Sequence, residues 1–234
     1  MDKWRKYVGG AALLAVVVMN GGCLSQSNEK TDTVVTESSS KEIPSSKSEQ
    51  NKPSITENER TTAVGKLQYP VVNTGSKQAS DVINSNLEAL VEDLVSKEDN
   101  YTKKDLLTYK VKIDNENVIA ILFEHVATYE GAARPLVTMI TRVYDKHTGA
   151  VKPLSDYVNI TLDEVLEIAG SSGIYSVNGD VPAAWDGNNV PSKLSDNYYP
   201  DKDNNIWIVF QAHEMAIGAF GPAIVKIPSN HVNK

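Results

Sequence analysis

At 234 residues, with 23 Lys and Arg against 30 Asp and Glu and a net charge of −7, the chain lacks the cationic surplus that binding to nucleic-acid phosphates requires. Its single cysteine excludes an intramolecular disulfide and a cysteine-built metal site. The length is enough for one substantial core.

In chain order, Lys3, Arg5 and Lys6 precede an uncharged run from Val8 to Met19, and Gly21 and Gly22 stand before Cys23. That layout is an export signal. The apolar run is about 12 residues, whereas a helix needs about 20 to cross the bilayer hydrocarbon, so cleavage is expected rather than a permanent span. Small residues before a cysteine suit lipoprotein processing, and Gly21-Gly22-Cys23 resembles such a site, with Asn20 where Leu is usual. The expectation is a lipoprotein signal peptide over residues 1–23, a lipid on Cys23, and an extracytoplasmic chain anchored to the cell membrane through it.

Residues 25–63 are dominated by Ser, Thr, Glu, Lys, Asn and Gln, including Ser38-Ser39-Ser40 and Ser45-Ser46. Few large apolar side chains are available to offset the entropy of ordering. A disordered Ser/Thr-rich linker is therefore expected over residues 24–65, about 40 residues of coil with a reach of roughly 35 Å.

From residue 66 to residue 234 the chain reads as one domain, and the whole acidic excess falls within it. A cationic partner suits that charge better than nucleic acid does. Residues 69–73 read as a short strand. Val82, Ile83, Leu87, Leu90, Val91, Leu94 and Val95 recur at helical spacing and predict a helix over 80–95. Alternation over 107–113, the turn Asn115-Glu116-Asn117 and the run 118–127 predict a hairpin. Glu130-Gly131 breaks the chain, 135–144 gives a third β run, and Asp145-Lys146-His147-Thr148-Gly149 is a tight turn.

Thr161 and Glu164 have capping-box spacing ahead of Leu162, Val165, Leu166 and Ile168, with Gly170 as a stop. Residues 171–193, rich in Gly, Asn, Pro and Ser, read as a long loop. Residues 206–211, entered through the polar turn Asp201-Lys202-Asp203-Asn204-Asn205, and 223–227 are the last strands. The expected class is α+β, an antiparallel sheet with about two packed helices preceded by a disordered stalk.

Three stretches then carry a resemblance. They are Tyr129-Glu130-Gly131-Ala132-Ala133-Arg134; Tyr144-Asp145-Lys146-His147-Thr148-Gly149 with Pro153-Leu154-Ser155-Asp156-Tyr157; and Phe210-Gln211-Ala212-His213-Glu214-Met215-Ala216, continuing through Gly221-Pro222 to Val225-Lys226-Ile227-Pro228. In order and spacing they resemble the RsiV/PdaC-type extracytoplasmic domain, the RsiV C-terminal-like domain. Ala132 and Arg134 stand where that family has Gly and His, His213 where it has Tyr, and Ile217-Gly218 where it has Pro-Tyr. The resemblance implies a sensor or binding module in a stand-alone lipoprotein, with a lysozyme-like cationic protein or peptidoglycan as partner. With few residues ahead of the apolar run and about 170 in the domain, neither a sigma-binding segment nor a separate deacetylase domain is expected.

Candidate chemistry is sparse. His213-Glu214 starts like a zinc helix, but position 217 is Ile, so the second ligand is missing. His125, His147 and His231 fall on a strand, a turn and the tail. Gly170-Ser171-Ser172-Gly173 follows a helix rather than forming a strand-to-helix elbow. Asp201 to Asn205 lacks the glycine and terminal Glu of a calcium loop. The reading is no catalytic residue, no metal and no cofactor, with Glu130, Arg134, Trp185 and His213 as ligand-binding candidates. A peptidoglycan-modifying enzyme, or an accessory factor of one, is the alternative. Trp185 is included because an aromatic side chain in a long loop can anchor an interface.

Overall fold

Strand β4 (Val118–Tyr129) is loaded with apolar residues on both faces: Ile119, Ile121 and Phe123 lie on one and Ala120 and Leu122 on the other, all buried. A strand of that kind must be covered twice, and the rest of the chain supplies two covers. The computed structural model describes residues 54–179 and 181–232. The antiparallel neighbours of β4 are β3 (Thr102–Asp114) and β5 (Leu136–Asp145). Next to β3 lies β2 (Gly65–Asn73), and β1 (Ser54–Thr61) pairs antiparallel with β2, giving the order β1-β2-β3-β4-β5.

On one side of this sheet packs α1 (Lys77–Ser96), started by Ser76, whose side chain accepts from the Ala79 N–H. Its Ile83, Leu87, Leu90 and Val91 meet Leu67, Leu107 and Phe123 in one core. The other side is covered by α2 (Leu162–Ser172) and a second, antiparallel sheet in the order β6 (Tyr175–Ser176), β9 (Ala223–Ile227), β8 (Ile206–Phe210), β7 (Tyr198–Pro200). Val165, Ala169, Ile208 and Phe210 join Leu122 and Met139 in that second core. The capping box of Thr161 and Glu164 is present as expected. The class is α+β, with two α-helices among the described residues. Among the described residues no helix is long and apolar enough to cross a membrane.

Three features depart from the sequence reading. The expected linker over 24–65 takes in strand β1, which pairs residue for residue with β2 from Ser54 opposite Asn73 to Thr61 opposite Lys66, so the folded unit reaches at least to Ser54. The composition hid this strand because only Ile55 is even partly buried; main-chain hydrogen bonding rather than a side-chain core holds it. Arg60 on β1 also pairs with Glu92 on α1. Second, β2 and β3 run parallel, Gly65 opposite Asp105 and Leu67 opposite Leu107, and α1 provides the crossover such a pair needs. Third, β6 and β7 are too short to announce themselves by periodicity. Residues 1–53, with the signal peptide, Cys23 and the rest of the linker, lie outside the described residues.

The Asp201 turn between β7 and β8 is held by one carboxylate, which accepts from the N–H groups of Asp203 (2.8 Å) and Asn205 (2.9 Å), from Asn205 Nδ2 (2.8 Å) and from Trp207 Nε1 (2.8 Å). Asn204 completes the turn at φ 59°. Burial alone raises the pKa of Asp201, but the bonds from Asn205, Trp207 and Asp203 together outweigh it and hold the carboxyl below its usual 3.8. A group depressed in the folded state contributes its full stability above the unfolded value and loses it as pH falls through the folded one. Asp201→Asn is therefore expected to lower stability by roughly 1–3 kcal/mol at pH 7. The penalty should shrink as pH falls below 3.8 and through the depressed folded value, as read from urea midpoints at pH 7 and at successively lower pH.

Candidate functional site

β5 is an edge strand of the five-stranded sheet, and from Asp145 back to Met139 each outward residue has at least one main-chain group paired with another piece of the same chain. Asp145 N–H donates to Ala150 O (2.9 Å) and Val143 O accepts from Lys152 N–H (2.8 Å). Thr141 N–H donates to Asn197 Oδ1 (3.0 Å). At Met139 the side chain of Gln211 imitates a neighbouring strand, its Oε1 accepting from the N–H (2.9 Å) and its Nε2 donating to the C=O (2.8 Å). These positions alternate along the strand, so the next outward residue is Val137. There the edge opens onto a cleft of about 480 Å³ whose lining includes Arg134, Val137, Thr138, His213, Gly218 and Pro222.

The segment after β8 builds the opposite wall. Gln211 N–H donates to Glu214 Oε2 (2.5 Å) and Glu214 N–H donates to Gln211 O (3.1 Å), a tight turn that commits the Glu214 carboxylate to the backbone. Within it His213 takes the left-handed conformation, φ 71°, which a side chain other than glycine occupies at a cost of about 1 kcal/mol or more. Its ring rests on Gly218, where a Cβ would come within 2.2 Å of the His213 Cε1. Both His213 and Arg134 are exposed, and neither makes an ion pair or hydrogen bond with another described side chain.

The four residues singled out in the sequence thus separate into two groups. Arg134 and His213 line one cleft. Glu130 does not line it; its carboxylate pairs with Lys103 at 3.0 Å, at the far end of the β3–β4 pair. Trp185 folds back: its Nε1 donates to Met215 O (2.8 Å) and its ring packs, half-buried, against the second core. Gln211 and Val137 were missed, because an edge that needs a side-chain cap is a property of strand order rather than of residue type.

A further pair was also missed. His125 on β4 and Asp105 on β3 meet with Nε2 and Oδ1 2.5 Å apart, the carboxylate side chain 4% exposed and the imidazole 13%. Among the described residues no three His, Cys, Asp or Glu side chains are grouped so as to hold a metal ion.

The two cores, the mixed five-stranded sheet and the four-stranded sheet define an α+β fold shared with a solved member of the DUF3298 family. A member of that family from Bacteroides fragilis superimposes with a TM-score of 0.50 at 12% sequence identity, covering 79% of this chain and 95% of that one. A DUF3298 family protein from Pseudomonas aeruginosa PAO1 gives a TM-score of 0.45 at 11% identity over 78% of this chain and 93% of its own. No family model matches the chain, and no curated protein matches it.

Proposed function

We propose that this chain is an extracytoplasmic lipoprotein, tethered through Cys23, whose domain captures a protein ligand and acts by binding rather than by catalysis. The observation that carries the reading is the cleft at the end of β5: it is of ligand size, and among the described residues Arg134 and His213 have no side-chain partner, so none orients His213 as a general base. The resemblance of the three stretches to the RsiV/PdaC-type domain supports the same role. The acidic excess of the domain favours a basic partner, a lysozyme-like cationic protein, because long-range attraction raises the encounter rate.

Titration of the purified chain with a lysozyme at low and high salt tests the partner. Binding is expected to weaken about tenfold or more as salt shortens the screening length to about 8 Å and below. No binding at low salt would remove the cationic-protein reading. Cell fractionation tests the tether: Cys23→Ala is expected to move the chain out of the membrane fraction, and an unchanged membrane fraction would remove the lipid.

A further inference from the structure

We propose that the cleft at the open end of β5 takes an extended peptide segment of a partner protein, which adds to the sheet edge at Val137 and places a carboxylate on Arg134 and His213. This rests on the reading that the domain binds a protein, and it names the part of that protein the cleft accepts.

The edge supplies the first argument. Four successive outward positions of β5, from Asp145 back to Met139, have hydrogen-bond partners from the chain itself, and the last of them is the strand-like amide of Gln211. At Val137 the described chain provides none, and the groups face a cleft instead of a loop. An exposed main-chain donor and acceptor beside a groove is what strand addition requires. Pro135, which has no N–H, ends the ladder one step further on. The site is therefore short, one pair of main-chain bonds with Gln211 as its stop, and needs an additional anchor.

Charge supplies that anchor and fixes its sign. No Asp or Glu lines the cleft, although the domain as a whole is acidic. Glu214 is engaged by the Gln211 N–H and Glu130 by Lys103, while Glu124 sits beside Val137 in the adjoining pocket and not in the lining of this cleft. Arg134 offers a planar fork suited to a carboxylate, and the left-handed turn at His213, seated on Gly218, sets an imidazole across from it. Leu136, 53% exposed, and Pro222 leave apolar surface for a neighbouring side chain of the peptide.

The test uses the full-length chain in detergent micelles and a fluorescein-labelled hexapeptide of alternating Thr and Val with a free C-terminal carboxylate, followed by fluorescence anisotropy. Saturable binding is expected. Amidating the C-terminus, or Arg134→Gln in the protein, should each weaken it about tenfold, the worth of one charge-assisted hydrogen bond, and the two changes together should cost little more than either. Methylating alternate peptide nitrogens should remove binding. An amidated peptide that binds as tightly as the acid, a methylated peptide that binds unchanged, or no binding of the acid peptide at millimolar concentration would each overturn the proposal. A lysozyme that binds the same preparation while the peptide does not removes this proposal alone. The converse result supports it and removes only the basic-partner reading.

Discussion

Gly65→Ala is expected to destabilise the domain by at least about 3 kcal/mol, a loss at the upper end of what overpacking usually causes. Gly65 opens β2 opposite Asp105, and a Cβ built there would sit 1.5 Å from the Asp105 carbonyl oxygen and 2.5 Å from its carbonyl carbon. Both are backbone atoms, so no rotamer change can relieve the clash. Nor can the strands slide apart freely. Asp105 N–H donates to Val64 O (3.1 Å), Gly65 N–H donates to Thr62 Oγ1 (3.1 Å), and Thr62 N–H donates to Gly65 O (3.0 Å). The methyl group must therefore pull β2 from β3 at the point where Leu67 and Leu107, both fully buried, meet α1. Urea unfolding of the variant against the parent chain measures the loss, and a difference below about 1 kcal/mol would show that the contact is easily relieved. Gly131→Ala is the internal control: its φ of 76° is unfavourable for alanine but nothing lies within 4 Å of the added atom, so a cost of only about 1–2 kcal/mol is expected.

These two glycines also show what the sequence reveals and what it hides. Gly131 was legible as a chain break because a turn imposes a local backbone requirement. Gly65 was not, since its requirement comes from a strand some forty residues away. The same division runs through the fold. The helix α1 announced itself through Ile83, Leu87, Leu90 and Leu94, and the hairpin of β3 and β4 through alternation around Asn115, because the residues concerned contact one another within a turn or across a short loop. β1 carries polar side chains on nearly every position, and its reason for being a strand is the edge of β2 beside it.

The cleft follows the same rule. Arg134 and His213 were individually visible as departures from a family pattern. Their convergence depends on β5 being an edge and on Gln211 turning its amide onto Met139, neither of which local composition encodes. Trp185, in a polar loop, suited either an interface anchor or a side chain folded back on the core, and the second holds: the indole N–H finds the Met215 carbonyl and the half-buried ring packs against the core.

His125→Leu is expected to cost about 3–5 kcal/mol, although leucine is the more apolar side chain at a site only slightly open to solvent. The reason is the partner left behind. Asp105 is 3% exposed, and His125 Nε2 provides the one side-chain hydrogen bond its carboxylate makes among the described residues. Removing the imidazole strands a buried acceptor, and the desolvation it then suffers exceeds what one leucine side chain gains by burial. Asp105→Asn in the parent chain keeps a hydrogen-bonding group of the same shape against His125 and is expected to cost no more than about 1.5 kcal/mol. Combining His125→Leu with Asp105→Leu removes both polar groups and should recover most of the loss, since a well-packed apolar pair can match a buried polar one. The double-mutant cycle, read from urea midpoints, separates the pair's coupling from the packing of either side chain. A single-variant loss below about 1 kcal/mol, or a double variant no more stable than His125→Leu, would mean that Asp105 finds another partner when the strand relaxes. Because Thr138 lies opposite His125 on β5 and lines the cleft, such a relaxation should also show as a shift of the Thr138 amide signal, which ties the buried pair to the cleft wall.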